Sequence, residues 1–176
     1  MQVELFKISA HQFPVIDWET KKQEMLSHID FSKLIRKDKQ GFLSDRETND
    51  NSYAEAFFTI FQDQLQQFRQ SLNLSAFDLA SVWTAEYHRG DWHPPHSHGP
   101  LGYSGILYLD YDMDQHGPTY FIDPYANPTT GDTVIKFPIA MEGTITLVPS
   151  SLVHFTYPNE SDLVRRVIGF DLKNLR

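Results

Sequence analysis

The second half of the chain constrains the fold most, because short runs rich in β-branched and aromatic residues follow one another from residue 79 to residue 172. Gly, Pro, Asn and Asp separate these runs, as they separate strands. There are seven of them: 79–87, 103–111, 118–122, 132–137, 143–148, 153–157 and 163–172. No helical pattern lies between them, which excludes a parallel βαβ sheet and predicts an antiparallel sandwich, most economically a jelly roll.

The first half predicts helices that cover this sheet. Alternation in residues 3–8 predicts an opening strand, residues 19–29 a polar helix, and the charged segment 30–51 a surface connection or lid. A long helix is predicted at about 52–72 from one apolar stripe at steps of three or four: Ala54, Phe57, Phe58, Phe61, Leu65, Phe68 and Leu72. The expected architecture is mainly β with N-terminal helices, a single domain over 1–176 in which 1–77 packs on a jelly-roll core at 78–176.

Charge and composition exclude several classes of function. Fifteen Lys and Arg against 23 Asp and Glu give a net charge of −8, which disfavours binding to nucleic acid or an anionic membrane. The absence of cysteine excludes disulfides, thiolate metal sites and cysteine nucleophiles. No apolar run approaches the ~20 residues of a membrane span, and residues 1–7 lack a secretory signal pattern, so we expect a cytoplasmic protein. Edge strands of sandwiches often pair between copies, which leaves a homodimer open.

Histidine is concentrated in residues 93–98, where His93, His96 and His98 occur. In an extended segment the spacing of His96 and His98 points both imidazoles to one side, so one cation can bind both. A sandwich can bring His154 to the same ion as a third ligand, with His93 beside the ligands or at the entrance. Alternatively, exposed histidines simply collect in a polar loop. The remaining four are expected at the surface: His11, His28, His88 and His116.

Two arginines begin the last predicted strand. Strand alternation places Arg165 on one face, with the odd-numbered residues up to Asp171, and Arg166 on the other. One of the two can therefore point into the sandwich, where its planar fork would match a carboxylate. The alternative is that both pair with surface acids such as Asp162.

Taken in order, these motifs resemble the 2-oxoglutarate- and iron(II)-dependent oxygenases of bacteria and phages. The similarity spans roughly residues 80–172 and rests on these blocks: Trp83 to Leu109 with Arg89-Gly90, Pro94 to His98 and Ser104 to Leu109, then Phe121 to Pro124, Glu142-Gly143, Val148 to His154, and Arg165 to Phe170. The resemblance implies a double-stranded β-helix, which is the jelly roll predicted above, with iron at its open end.

The resemblance also implies roles for individual residues. His96 would be the first iron ligand and His154 the distal one, and Arg165, or failing it Arg166, would bind the far carboxylate of the co-substrate 2-oxoglutarate. Three further co-substrate contacts are implied: Tyr87, Ser104 and Tyr108. For Tyr108 the alternative of a core aromatic residue stays open. The implied reaction is hydroxylation of a small molecule, amino acid or peptide, with succinate and CO2 as co-products.

One position departs from the family pattern. Two residues after the first histidine the family has Asp or Glu, whereas this chain has His98. Either His98 is a neutral third ligand of Fe(II), or it stays unbound and leaves a further coordination position open. Either arrangement is compatible with a changed or lost activity.

Two other functions remain open on the same fold. The glycine, proline and histidine spacing also resembles the cupins, whose three histidines and a glutamate bind a metal, but that glutamate is missing here. Cupins do not require an inward arginine, so the direction of Arg165 discriminates between the two families. The third alternative is a jelly roll that binds a ligand without metal or catalysis.

Overall fold

The computed structural model describes residues 7–36, 41–48 and 52–176. Within these ranges the chain forms three α-helices, α1 Trp18–His28, α2 Ala54–Ile60 and α3 Gln62–Ser71. The strands are β1 His11–Pro14, β2 Ile35–Arg36, β3 Leu43–Ser44, β4 Asp78–Tyr87, β5 His93–His96, β6 Tyr103–Asp110, β7 Tyr120–Ile122, β8 Ile135–Lys136, β9 Thr144–Pro149, β10 His154–Thr156 and β11 Arg165–Lys173.

The strands form two antiparallel sheets. The larger has the order β1-β9-β6-β11-β4-β3-β2, and the smaller β5-β10-β7-β8. Strand β11 lies at the centre of the larger sheet, where it pairs with β4 from Arg165 opposite Tyr87 to Lys173 opposite Asp78. Residues of both sheets line one common pocket. This arrangement confirms the predicted jelly roll.

Alternation along β11 separates a core face from a pocket face. Ile168, Phe170 and Leu172 are fully buried on the face that the helices cover, and the rings of Phe57 and Phe170 lie 4.9 Å apart. Arg165 and Gly169 point the other way, into the pocket between the sheets. Burial of one face against helices therefore fixes which residues of β11 are available to a ligand.

The helical stripe predicted at 52–72 buttresses the large sheet. Phe57, Phe61, Leu65 and Phe68 are fully buried, whereas Phe58 is 41% exposed and lies off the stripe. The single helix is divided at Phe61, whose φ of −106° and ψ of 18° depart from helical values. The helical hydrogen bonds nevertheless continue through it, since the N–H of Phe61 donates to the carbonyl of Phe57 and the carbonyl of Phe61 accepts from the N–H of Leu65. The apolar stripe therefore stays on one side.

The prediction of a surface connection at 30–51 is wrong for its second half. Phe42 is buried, Leu43–Ser44 forms strand β3 at the edge of the large sheet, and Asp45 is buried beside it. Asp45 accepts hydrogen bonds from the backbone N–H of Thr84 at 2.8 Å and from the hydroxyl of Tyr53 at 2.8 Å. One partner lies in strand β4 and the other directly before helix α2, so the charged residues of the segment itself did not indicate these contacts. Residues 37–40 and 49–51 lie outside the described ranges.

Three strand predictions also need correction. The opening strand was predicted at 3–8, but 3–6 lie outside the described residues, Lys7 and Ile8 form no strand, and β1 is His11–Pro14. Strand 132–137 shortens to Ile135–Lys136. Strand β5, His93–His96, was not predicted because it contains two prolines, which a strand tolerates at an edge, where β5 lies.

Candidate functional site

Three histidines meet where the small sheet borders the pocket. His96 ends β5 and His154 begins β10, and the two are direct partners in the antiparallel ladder between these strands. His98 lies two residues beyond His96, in the loop that leaves β5. The ladder therefore brings together two segments that are far apart in sequence.

The three imidazoles converge closely enough to share an ion. One ring nitrogen of each residue lies within 4.8 Å of those of the other two. The ring centroids are 4.3 Å apart for His96 and His154, 5.2 Å for His96 and His98, and 5.0 Å for His98 and His154. Three imidazoles on one side of an ion form a donor set that suits iron, zinc, copper or nickel.

Hydrogen bonds at Nδ1 fix the tautomer of each ring. His96 Nδ1 lies 2.8 Å from the backbone carbonyl two residues before it, and His154 Nδ1 lies 3.0 Å from its equivalent. His98 Nδ1 instead lies 2.7 Å from the carboxylate of Asp171. Because carbonyl and carboxylate oxygens only accept, each Nδ1 carries the proton and each Nε2 keeps a lone pair for a metal.

The Nε2 atom of His98 is buried without a hydrogen-bond partner. A buried nitrogen in this state costs free energy comparable to a lost hydrogen bond. Such orphaned atoms in an otherwise paired structure indicate an absent ligand or ion. This observation, together with the donor set, shows that the residues present fit a metal ion.

Two histidines of the pocket have lowered pKa values. Burial, together with the neighbouring ring of His96, lowers the pKa of His154 to about 3. Burial likewise lowers the pKa of His93 to about 2. Neutral imidazole is the form that binds metal ions, so His154 has the required protonation state at neutral pH.

Asp171, behind His98, is a residue of the site that the sequence prediction left without a role. Its Oδ1 atom accepts from His98 and, at 2.7 Å, from the hydroxyl of Ser104. Burial alone would raise the pKa of this carboxyl, but the hydrogen bonds from His98 and Ser104 outweigh it and hold the pKa below its usual range. The signal that could have identified Asp171 is its strand parity, since it shares a face with Arg165.

Arg165 is buried in the same pocket, and two nitrogens of its guanidinium make no hydrogen bond to the described residues. The residue is 3% exposed, and Nη2 donates to the hydroxyl of Thr119 at 3.2 Å. Its Cζ atom lies 4.8 Å from the centre of the Tyr87 ring. Nε and Nη1 are buried without any partner. Arg165 and the three histidines line the same pocket, which is partly open to solvent.

Arg166, the adjacent residue, points away from the pocket. Its Nε atom lies 2.5 Å from Glu86 and its Nη1 atom 2.8 Å from Asp110. The two arginines therefore point to opposite faces of the strand, as alternation requires: Arg165 points into the pocket, and Arg166 makes partly buried ion pairs on the other face.

The other residues named from the sequence lie around this pocket. Tyr87 and His93 both line it, and the Tyr87 hydroxyl is 3.2 Å from His93 Nδ1. Burial raises the pKa of Tyr87 to about 12, although the charge of Arg165 opposes this rise. Ser104 lines the pocket as well, and its hydroxyl donates a hydrogen bond to Asp171. Tyr108, by contrast, is not among the residues that line the pocket: it is 1% exposed in a buried cluster with Tyr87 and Tyr111, and its hydroxyl accepts from the backbone N–H of Thr119 at 3.3 Å.

His116 contradicts the expectation of a surface histidine. It is 6% exposed, its Nδ1 accepts from the backbone N–H of Asp112 at 3.0 Å, and its Nε2 donates to the carbonyl of Leu163 at 3.1 Å. Both nitrogens thus join loops that are distant in sequence. His116 has a structural role outside the pocket.

None of the helices in the described part of the chain is both long and apolar enough to cross a membrane.

No protein-family model and no curated protein matches this sequence. Solved structures are similar in fold. Carbocyclase SnoK of nogalamycin biosynthesis, a non-haem α-ketoglutarate-dependent enzyme, superposes with a TM-score of 0.67 at 10% identity, covering 93% of this chain and 79% of that one. Epimerase SnoN of the same biosynthesis, in complex with Fe³⁺ and α-ketoglutarate, has a TM-score of 0.63 at 14% identity, covering 93% and 78%. A prolyl-4-hydroxylase of Pseudomonas putida superposes with a TM-score of 0.61 at 13% identity, covering 94% of this chain and 92% of that one.

These similarities extend over nearly the whole chain, and the neighbours include enzymes that depend on α-ketoglutarate, which is 2-oxoglutarate. The predicted double-stranded β-helix is therefore confirmed.

Proposed function

We propose that this protein is an Fe(II)- and 2-oxoglutarate-dependent oxygenase. His96, His98 and His154 would bind the metal, and Arg165 would bind the far carboxylate of 2-oxoglutarate. The observation that carries the proposal is the buried, partly unpaired guanidinium of Arg165 in the same pocket as three converging imidazoles.

The geometry of Arg165 favours a dicarboxylate ligand. Two of its nitrogens are unpartnered, and a planar guanidinium binds a carboxylate through two parallel hydrogen bonds. Thr119 and the face of the Tyr87 ring hold the guanidinium in place. In the proposed binding mode, one carboxylate of 2-oxoglutarate would bind this guanidinium and the keto acid end would face the histidines, which line the same pocket.

When bound, iron(II) supplies the dioxygen chemistry that couples decarboxylation of 2-oxoglutarate, to succinate and CO2, with oxidation of a C–H bond. The protein's own part is to hold three neutral Nε2 donors on one side of the pocket and a cationic fork elsewhere in it. The buried walls, including Trp83 and Val167, give the pocket an apolar lining that would limit contact of water with the site.

The class of prime substrate follows from the pocket rim. Phe155 lines the pocket and its ring lies 5.1 Å from that of Tyr157, which is 55% exposed. Tyr120 lies against both rings, at 5.5 Å from Phe155 and 4.8 Å from Tyr157. Such an aromatic rim suits an apolar small molecule, an amino acid or a peptide. Among the structural neighbours, the nogalamycin enzymes act in the synthesis of a small molecule and the prolyl hydroxylase acts on prolyl groups. Cytoplasmic location and homodimer formation stay predictions of the sequence.

Anaerobic titration tests the proposal. Addition of Fe(II) and then 2-oxoglutarate to the metal-free protein should produce the weak visible charge-transfer band of a chelated keto acid. His154→Ala should lose tight metal binding and the band, whereas His28→Ala, at the exposed end of α1, should keep both. Turnover is then measured as succinate release. A correctly folded protein that binds Fe(II) and shows no band would overturn the proposal.

The set of three imidazoles without a carboxylate favours one second candidate, a cupin-like metal site that does not use 2-oxoglutarate. Arg165 discriminates between the two. If Arg165→Met leaves the affinity for 2-oxoglutarate unchanged, the cupin-like function gains.

A further inference from the structure

The buried carboxylate of Asp171 has no part in the function proposed so far. Its side chain is 8% exposed. One oxygen accepts from His98 and Ser104, and the other accepts from the hydroxyl of Ser81 at 3.1 Å. Arg46 approaches this second oxygen at 3.7 Å.

We propose that Asp171 is a positioning residue of the metal site, which holds the ring of His98 in the tautomer and orientation that aim Nε2 at the ion. This inference rests on the proposed metal function. In the oxygenase pattern a carboxylate binds the metal directly. In this chain the carboxylate of Asp171 would instead contact His98, whose imidazole would bind the metal.

The contrast among the three histidines supports this role. His96 and His154 are oriented by carbonyls of their own segments, two residues earlier in the chain. His98 Nδ1 instead contacts two residues of the large sheet, the carboxylate of Asp171 in β11 at 2.7 Å and the hydroxyl of Ser104 in β6 at 3.0 Å. Its orientation therefore depends on a tertiary contact, and a change at Asp171 should act on His98 and leave the other two rings in place.

The rigidity of its surroundings suits Asp171 for this role. It lies in β11 between β4 and β6, opposite Ser81 in one strand and Ser104 in the other. Both serines donate to the carboxylate, so its plane is fixed before a metal binds. His98 itself lies in a loop, where backbone geometry alone holds a ring less firmly.

An Asn at position 171 would keep the essential contact. Its amide oxygen can accept from His98 and Ser104, and its amide nitrogen can donate to the Ser81 hydroxyl. Alanine removes the carboxylate acceptor and leaves His98 Nδ1 only the hydroxyl of Ser104, 3.0 Å away, among its described partners. Loss of such a partner behind a metal ligand typically weakens metal affinity by about 10–100-fold.

The test measures Co(II) affinity by calorimetry and records the Co(II) absorption spectrum, neither of which requires catalysis. We expect Asp171→Ala to weaken affinity by about 10–100-fold and to change the spectrum, and Asp171→Asn to stay within about threefold of the unmodified protein. The matched control is Asp45→Asn, which alters another buried carboxylate, next to the edge strand β3, that accepts from the hydroxyl of Tyr53 and the backbone N–H of Thr84.

A double-variant cycle shows whether Asp171 acts through His98. In a His98→Ala background, Asp171→Ala should cause no further loss, because the ring that it positions is gone. Should Asp171→Ala fail to fold, Asp171→Leu has similar volume and also lacks an acceptor.

The outcomes separate the two proposals. If the unmodified protein binds no Co(II) or Fe(II), the proposed function fails. If it binds metal but Asp171→Ala binds equally well, or loses the same affinity with and without His98, the role of Asp171 is overturned while the proposed function stands.

Discussion

Replacing Arg165 by Met should stabilise the metal-free protein and at the same time abolish binding of 2-oxoglutarate. Arg165 is 3% exposed, and two of its nitrogens have no partner. No carboxylate among the described residues lies within ion-pair distance of it. The fold therefore carries a buried charge whose partner would arrive only with the co-substrate.

The magnitude follows from opposing contributions. An unpaired buried ion costs several kcal/mol. The contact with the Tyr87 ring offsets about 2 kcal/mol, and the charged hydrogen bond to Thr119 about 1.5–3 kcal/mol. Methionine packs a similar volume without charge, so we expect the free energy of unfolding to rise by about 1–2 kcal/mol, or the Tm by about 2–8 °C at this chain length.

Binding should change in the opposite direction. Two charge-assisted hydrogen bonds contribute about 1.5–3 kcal/mol each. Their loss should weaken 2-oxoglutarate affinity by about two to four orders of magnitude.

Calorimetric unfolding of the protein with and without Mn(II) and 2-oxoglutarate measures both effects. At 100 times its Kd, the ligand should stabilise the unmodified protein by about 2.7 kcal/mol and leave Arg165→Met unchanged. The adjacent Arg166→Met is the control. It removes one ion-pair partner from Glu86 and one from Asp110, which keep only His88 and Lys22 among the described residues, so it should lower the Tm and preserve the ligand-induced shift. A lower Tm for Arg165→Met, together with a normal ligand shift, would refute this reasoning.

Two further predictions concern acid stability and packing. The folded-state pKa values of His154 and His93, about 3 and about 2, lie below the ~6.5 of an unfolded chain. Stability of the metal-free protein is therefore fully present above pH 6.5 and falls as the pH drops toward 3, by up to about 1.4 kcal/mol per pH unit for each ring. Urea unfolding between pH 7 and pH 4 measures this, and His154→Asn should flatten the slope; equal slopes would contradict it. Gly169→Ala would place a Cβ 2.4 Å from the indole of Trp83 and should cost about 1–3 kcal/mol, whereas Gly117→Ala, with its nearest contact at 3.9 Å, should be neutral by the same thermal assay.

Local periodicity was enough to predict the frame of the molecule. The stripe of Phe57, Phe61, Leu65 and Phe68 predicted a helical layer, and the strand runs predicted a jelly roll. Both signals arise from the repeat of the backbone, which a sequence displays directly. Where a segment lacks such a repeat, as at Phe42, contacts made with distant strands decided the structure.

In the candidate site, too, the sequence predicted some features and the tertiary structure decided others. The spacing of His96 and His98 was readable as a pair, because neighbours in an extended segment share a side. The register of β10 against β5, which brings His154 opposite His96, is a property of the folded sheet. The partnership of His98 with Asp171 spans 73 residues and left no local signal.

Arg165 and Arg166 show most clearly what the sequence alone could not predict. Alternation in the sequence determines that the two guanidinium groups point to opposite faces of their strand. Only the tertiary structure decides which face is the pocket, because a shift of one residue in register would exchange the faces without altering the pattern. The helices that bury Ile168 and Phe170 against the large sheet fix that register, and in doing so they point Arg165 toward the space between the sheets.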